Sequence, residues 1–319
     1  MLSPKIKALL ATARIANVPS VVCNVFTGML LVTGDDRVPE WNTPTIPVTF
    51  AAVCLYIAGN FLNDWHDVAW DEKNRPERAI PSGLFSRGLY LFIASALLLL
   101  GLSLSVYVST TTAIVFLAIA ILVYFYTVLH KKQSYSIWIM GACRAGLYLL
   151  GFATMLAFAR NKGSSERSDF MAITAVIIAL PMLGLLAYIA GISLLARYET
   201  RSSDLSHKSN SFAAMLLLLP ALTHSCLLSL LAGSFGNYGQ ILLCVVAIMP
   251  FVIWTSLIVF RKYSVSTKVS RLLAGIPLVD SVCLISLFFV MGLHPIYSIV
   301  LPFTCFLAAL LLQKIAPAT

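Results

Sequence analysis

The 319-residue chain reads as an all-α, polytopic transmembrane bundle of nine or ten helices around a central cavity. Three observations predict this class. Of the residues, 59% are hydrophobic and only 11% charged, and the mean hydropathy is +0.89. About ten stretches in succession approach the roughly 20 mostly apolar residues that a helix needs to cross a bilayer. Little sequence is left over for a soluble unit, so residues 1–319 are expected to form a single transmembrane domain.

The first span is placed at 15–33. Its apolar run is of full length and shows no clear small-residue cleavage site, so a retained span is expected rather than a removed signal. The second, 45–63, runs directly into a cluster of acidic residues. The third and fourth, 87–108 and 111–129, are joined by the very short Ser109–Thr111 connection. The fifth, 136–159, carries Arg144 among Gly141, Ala142, Ala145 and Gly146, small residues that let helices approach closely. The sixth and seventh, 170–196 and 212–233, flank the polar stretch RYETRSSDLSHKSNS, residues 197–211. The eighth is placed at 238–260, the ninth at 272–291 and the tenth at 294–313. Gly292 and His294-Pro295 are expected to turn a tight hairpin between the last two; if one of those segments is broken or interfacial, the count is nine.

The net charge of +9 is distributed by side rather than gathered in a nucleic-acid-binding patch. Lys5, Lys7, Arg14, Lys73, Arg75, Arg78, Arg87, Lys131, Lys132, Arg197, Arg201, Lys208, Arg261, Lys262, Lys268, Arg271 and Lys314 fall on one set of alternate connections. The other set holds only Arg37, Arg160, Lys162 and Arg167. Positive charge of this asymmetry marks the cytoplasmic face, which places the N-terminus and both polar loops, 64–86 and 197–211, in the cytoplasm of a cell inner or plasma membrane. The seven cysteines, Cys23, Cys54, Cys143, Cys226, Cys244, Cys283 and Cys305, lie in apolar spans without CxxC pairing and read as small buried residues.

The chemistry concentrates in Asn63–Gly83, NDWHDVAWDEKNRPERAIPSG. An ionisable group near the bilayer core costs roughly 2.5–3.5 kcal/mol, so carboxylates at the end of a membrane helix need a local reason. If the helix continues, Asn63, Asp67 and Asp71 fall at i, i+4 and i+8, and Asp64 and Asp67 are three apart on the same side. Hard oxygen ligands on one face suit Mg²⁺, which takes one or two carboxylates and completes its shell with phosphate oxygens and water. The plain alternative is a solvated acidic loop.

With its tail, the loop resembles the UbiA superfamily of intramembrane prenyltransferases. The matching residues are Asn63-Asp64-x-x-Asp67-x-x-x-Asp71 and Arg78-Ala79-Ile80-Pro81-Ser82-Gly83, with Ala79 standing where that family usually carries proline. The resemblance implies a UbiA-like fold and Mg²⁺-assisted transfer of an isoprenoid chain from a prenyl diphosphate to an acceptor, aromatic or another lipid precursor. It implies metal ligation by Asn63, Asp64, Asp67 and Asp71, those three aspartates being catalytic, with Arg78 at the diphosphate and loops 64–86 and 197–211 capping the site. Tyr126 would face the allylic cation, with Lys131 and Lys132 at the diphosphate; an interfacial aromatic with snorkelling lysines explains the same residues. Arg144, inside a span, is expected to contact substrate or an aspartate. Asn24 either lines the polar pocket or bonds between helices.

The second loop departs from the family's DxxxD-like pattern. Glu199 and Asp204 are five apart and sit about 140° apart on a continuous helix. They share a second metal in a loop geometry, or Arg197 and Arg201 contact diphosphate in its place; an ordinary charged loop is the remaining alternative. That departure also supports a rival reading, a UbiA-like protein without transfer activity that serves as a carrier, transporter or assembly partner. Asp280, inside the ninth span, either has a function or is satisfied by Ser281 or a neighbouring helix, and His224 and His294 have no metal-ligand spacing with other candidates.

Overall fold

The computed structural model describes residues 3–32, 44–161, 168–198, 207–235, 238–291 and 296–316. It is helical throughout, with no strand among the described residues. In order, the helices are α1 (Pro4–Thr12), α2 (Val18–Leu30), α3 (Thr45–His66), α4 (Val68–Asn74), α5 (Arg87–Val108), α6 (Thr110–Leu129), α7 (Ser136–Asn161), α8 (Ser168–Tyr198), α9 (His207–Phe235), α10 (Tyr238–Phe260), α11 (Val265–Ala274), α12 (Ile276–Met291) and α13 (Tyr297–Leu312).

Among the described residues, seven segments are long and apolar enough to cross a membrane, α11 and α12 together forming one of them, Val265–Ser286. An eighth comes from Pro4–Thr12 and Ile15–Leu30, α1 and the segment containing α2, if that pair, bent by 45° at the break between Thr12 and Ile15, counts as one span. Two shorter apolar helices, Cys244–Phe260 and Ser298–Leu312, occupy the positions of two further expected spans. The expected ninth span at 272–291 therefore begins earlier, at Val265, and is broken at Gly275.

The sequence explains which faces meet. Helix α5 buries Tyr90, Ala94, Gly101 and Ser105, while Phe92, Leu99 and Leu100 are exposed, as lipid contact requires. At Gly101 a Cβ would run into the Phe116 ring, so only glycine lets α6 approach there. Helices α2 and α7 approach still more closely. A side chain at Gly28 would collide with the Tyr148 carbonyl, and one at Gly151 with the Val25 carbonyl. These small residues bring the two backbones together without any polar cost. The main core runs from Val21, Val25 and Met29 through Leu147, Tyr148 and Leu150 to Leu185, Leu217 and Phe251.

Three interruptions of helix bear on the site. At the first, Arg14 takes φ 45°, a left-handed conformation unusual for a side chain of its size. Asn60 Nδ2 donates to the Ala13 carbonyl, an oxygen that the bend frees, at 3.3 Å, and the Tyr56 hydroxyl adds a bond at 3.5 Å to the Arg14 carbonyl, which already accepts from the Asn17 amide at 2.9 Å. At the second, Asp67 separates α3 from α4. At the third, Gly275 lies so close to Trp254 and to the Tyr188 hydroxyl that no larger residue fits.

Replacing Gly151 or Gly28 with alanine should force α2 and α7 apart and destabilise the protein by about 1–3 kcal/mol. Gly88→Ala, where a Cβ meets nothing within 4 Å, should not. Melting temperatures in detergent compare the three.

Candidate active site

Helix α3 ends at His66 with Asp67 as its C-cap, φ −82° and ψ 1°. The amide of Asp67 still reaches the Asn63 carbonyl at 2.9 Å, and that of Asp71 the Asp67 carbonyl at 2.9 Å. The helix is thus interrupted at Asp67 while i to i+4 hydrogen bonds continue across the break, so Asn63 and Asp71 lie on two successive helices and not on the single unbroken one that the i, i+4, i+8 ladder assumes. The chain then returns through Arg78–Phe85. The Ser82 amide bonds the Arg78 carbonyl at 2.9 Å, the Gly83 amide bonds Ile80 at 3.0 Å, and Phe85 bonds Ala79 at 3.1 Å. Gly83 has φ +73°, which explains why the turn needs glycine. Ala79, Ile80 and Phe85 pack with Phe61, Trp65 and Tyr90, so an apolar anchor fixes the position of Arg78.

That anchoring sets the charge arrangement. Arg78 Nη1 donates to Asp64 Oδ1 at 2.8 Å and to Asp71 Oδ2 at 3.2 Å. Thr12 Oγ1 donates to Asp64 Oδ2 at 3.2 Å and lies 2.9 Å from the Tyr90 hydroxyl, tying α1 to the cluster. Asp67 is met from the other side: His130 Nε2 lies 3.0 Å and Lys131 Nζ 3.5 Å from its Oδ2, and His66 Nδ1 lies 3.4 Å from Oδ1. The other ring nitrogen of His130 faces the Tyr126 and Thr127 carbonyls, and its ring stacks on Tyr126 at 5.1 Å between centroids. Lys131 Nζ also sits 3.3 Å from the Trp70 ring centroid.

Electrostatics follow from these partners. Burial pushes the Asp67 carboxyl up, but the hydrogen bond and charge of His130, with Lys131 and His66, outweigh it and hold the carboxyl below its ordinary range. Asp71, 1% exposed, goes the other way. Burial raises it, with the neighbouring Asp64 and Asp67 adding to the rise, and Arg78 offsets this only in part. Burial draws the Lys131 ammonium down against the pull of Asp67 and Asp71.

Behind this layer lies a cavity of about 840 Å³. Its mouth carries Asn63, Asp67, Trp70, Arg75, Arg78, Lys131 and Lys132; its interior is walled by Leu55, Ile119, Val123, Leu147, Ile189 and Ile192, with Tyr56, Tyr126 and Arg144 between. Of the residues expected at the site, Asn63, Asp67, Arg78, Tyr126, Lys131, Lys132, Arg144 and Arg197 line it. Asp64 and Asp71 stand behind Arg78, holding it against the wall. Asn24 is placed elsewhere, donating from Nδ2 to Asp280 at 2.9 and 3.0 Å, so of its two expected roles the bond between helices is the one formed. Arg197 lines the cavity but commits its guanidinium to the α6–α7 connection, donating to the Ser134 and Gln133 carbonyls at 2.8 Å each. Glu199, Arg201 and Asp204 lie outside the described residues.

The donors suit a hard divalent cation. Asn63 Oδ1 and Asp71 Oδ1 are buried oxygens without a hydrogen-bond partner, beside two further carboxylates. Among the described residues no three acidic, histidine or cysteine side chains converge as a closed metal site. Mg²⁺ needs no such cage, because phosphate oxygens and water complete its octahedron. Residues not singled out from the sequence are His130, Trp70 and Arg75. For His130 the signal was its i, i+4 spacing from Tyr126 and its position one before Lys131.

Residues 21–276 match the model of the UbiA prenyltransferase family. A solved structure from work on digeranylgeranylglyceryl phosphate synthase in membranes is 20% identical over 93% of this chain and 99% of that one, with a TM-score of 0.57. The apo structure of a UbiA homolog from Aeropyrum pernix K1 is 13% identical over 88% of this chain and 97% of that one, with a TM-score of 0.54. Likeness at these identities carries the fold. No curated protein matches the chain significantly.

Arg78→Gln should leave Asp64 and Asp71 facing each other unscreened and cost about 2 kcal/mol of stability. Adding Asp71→Asn should recover part of that loss in a double-mutant cycle of thermal unfolding. The lowered carboxyl of Asp67 contributes stability that is complete above the ordinary aspartate range and lost as pH falls through its lowered value. Between about pH 5 and about pH 2 the parent should therefore lose more stability than Asp67→Asn does.

Proposed function

This chain belongs to the UbiA prenyltransferase family, and from that premise we propose that it moves an isoprenoid chain from a prenyl diphosphate to an acceptor within the membrane. The observation that carries the reading is the joining of a cation- and carboxylate-lined mouth to an apolar interior in one cavity of about 840 Å³. A prenyl diphosphate has those same two halves. Its chain would lie along Leu55, Ile119, Val123 and Leu147, and its diphosphate would meet Arg75, Arg78, Lys131 and Lys132.

The chemistry asked of these residues is mainly electrostatic. As the allylic carbon–oxygen bond breaks, negative charge grows on the diphosphate, where the mouth cations stabilise it in a site of low dielectric. Positive charge grows on the allylic carbon, where the faces of Tyr56 and Tyr126 offer cation–π stabilisation. The acceptor attacks that carbon and gives up a proton. Asn63, Asp64, Asp67 and Asp71 are the residues that would hold Mg²⁺, which supplies neutralisation of the leaving diphosphate when bound. Asp67 has a further task that is independent of metal: it orients His130 and Lys131 at the mouth. Glu199, Asp204 and Arg201 are proposed to complete the site from the second polar loop. The excess of basic residues on these connections supports a mouth that opens on the cytoplasmic side.

Asp67→Asn should lower diphosphate release about 100-fold. Lys131→Ala should raise the KM for a prenyl diphosphate about tenfold, the loss of one charge-assisted contact. Chelation of divalent cations should stop release, and added Mg²⁺ should restore it. Tight prenyl diphosphate binding with no turnover across a broad acceptor panel would instead identify a carrier that keeps the fold without the chemistry.

A further inference from the structure

Of residues 205–319 only Asp280 is acidic, and it is fully buried. Five cations of the same stretch, Arg261, Lys262, Lys268, Arg271 and Lys314, gather where α11 meets the ends of α10 and α13. Lys268 Nζ donates to the Val259 carbonyl at 2.8 Å and Gln313 Nε2 to the Ser270 carbonyl at 2.7 Å, which ties α11 to both neighbours. The Trp254 and Phe306 rings meet edge-on with centroids 4.9 Å apart and hold α10 against α13. Among the described residues none of these cations forms an ion pair, and none lines the cavity.

This corner crowns two apolar rows. On α10, Ile253, Leu257 and Phe260 are exposed at i, i+4 and i+7, and Arg261 and Lys262 follow at once. On α13, Leu307 and Leu311 are exposed one turn apart, and Lys314 follows in the next turn. Rows of this kind meet acyl chains, so the cations after them stand at headgroup level. Helix α11 buries Val269 and Leu272, while Lys268 and Arg271 are only half-buried, the division expected of a helix lying at a membrane surface. Tyr263 holds two of the charges in place. Arg261 Nη1 donates to its hydroxyl at 3.0 Å, and the Arg271 guanidinium carbon lies 4.3 Å from its ring centroid.

We propose that this corner binds an anionic phospholipid, with the phosphate on Arg261 and Arg271 around Tyr263, Lys262 and Lys314 flanking it, and the acyl chains along α10 and α13. A phospholipid has both of the halves that this surface offers. A free phosphate or an acidic peptide would meet the cations alone and make no use of the apolar rows. Charge selects an anionic lipid over a zwitterionic one. The ammonium of a choline headgroup would enter a corner that has no acid to receive it. Because Tyr263 already orders both arginines, less side-chain freedom is lost on binding. The lipid also braces α11, whose Val269 and Leu273 line the cavity, so leaflet composition reaches the chamber through this helix.

The test uses the full chain in detergent micelles, titrated with phosphatidylglycerol or phosphatidylcholine of identical acyl chains and read by native mass spectrometry. Phosphatidylglycerol should bind about tenfold more tightly, or better. Arg261→Gln and Arg271→Gln should each lower that affinity about fivefold and leave phosphatidylcholine binding unchanged. Lys73→Gln, at an exposed cation on α4, should change neither. In the unmodified protein, phosphatidylglycerol should also slow amide hydrogen exchange across Val265–Ala274. Equal binding of the two lipids, or unchanged exchange in α11, overturns the proposal whether or not any variant folds. So does a loss with Lys73→Gln equal to that with Arg261→Gln, the mark of diffuse attraction to a charged face. Displacement of the lipid by equimolar glycerol phosphate, or tighter binding of a polyglutamate peptide, identifies a soluble ligand and overturns it as well.

Discussion

Carboxylates at the end of a membrane helix are stable only where cations close on them, and the polar end of this bundle is organised by that demand. Asp64 and Asp71 share Arg78; Asp67 takes His130, Lys131 and His66. The cations come from two different connections, so the acids bind the α3–α5 loop and the α6–α7 loop into one layer over the cavity. The same layer carries the groups a diphosphate would meet. Its structural cohesion and its proposed chemistry therefore depend on one set of charges.

The interruptions of helix place these groups. The bend at residues 13–17 brings Arg14 and Asn17 to the cavity, the break at Asp67 brings its carboxylate there, and the break at Gly275 brings Ile276. An uninterrupted helix would keep its backbone groups paired and its side chains on a fixed spiral. Each break changes that spiral, and at the first bend Asn60 takes up the Ala13 carbonyl that the change frees. Deeper in the bundle a second polar group joins α2, α7 and α12 through Asn24, Tyr148 and Asp280. It sits beside the close approach of α2 and α7 at Gly28 and Gly151, where small residues leave room for it.

Much of the site was legible because its signals are local. The acids of Asn63–Asp71 and the turn Arg78–Gly83 are contiguous, and their separation alone points to a loop that folds back on the helix end. Arg144 announced itself as a charge in an apolar span. His130 was harder to see, since nothing in its neighbourhood tells that it reaches Asp67 across 63 positions. Asn24 offered two roles, and only its partner, 256 positions away, decides between them. Arg197 had the right charge and the right side of the membrane, yet its guanidinium braces the Gln133–Ser136 backbone.

What the sequence determined by itself was the succession of spans, their apolar faces and the acidic cluster at the end of the second, because hydropathy and helix length are sums over neighbours. What only the tertiary structure decided was which cation neutralises which acid, where the helices break, and that Asp280 takes Asn24 and Tyr148 as its partners. Those outcomes depend on side chains meeting at about 3 Å across long stretches of chain. At that range a few degrees of helix direction, set by packing at Gly28, Gly151 and Gly275, determine whether a charge is paired or left facing the cavity.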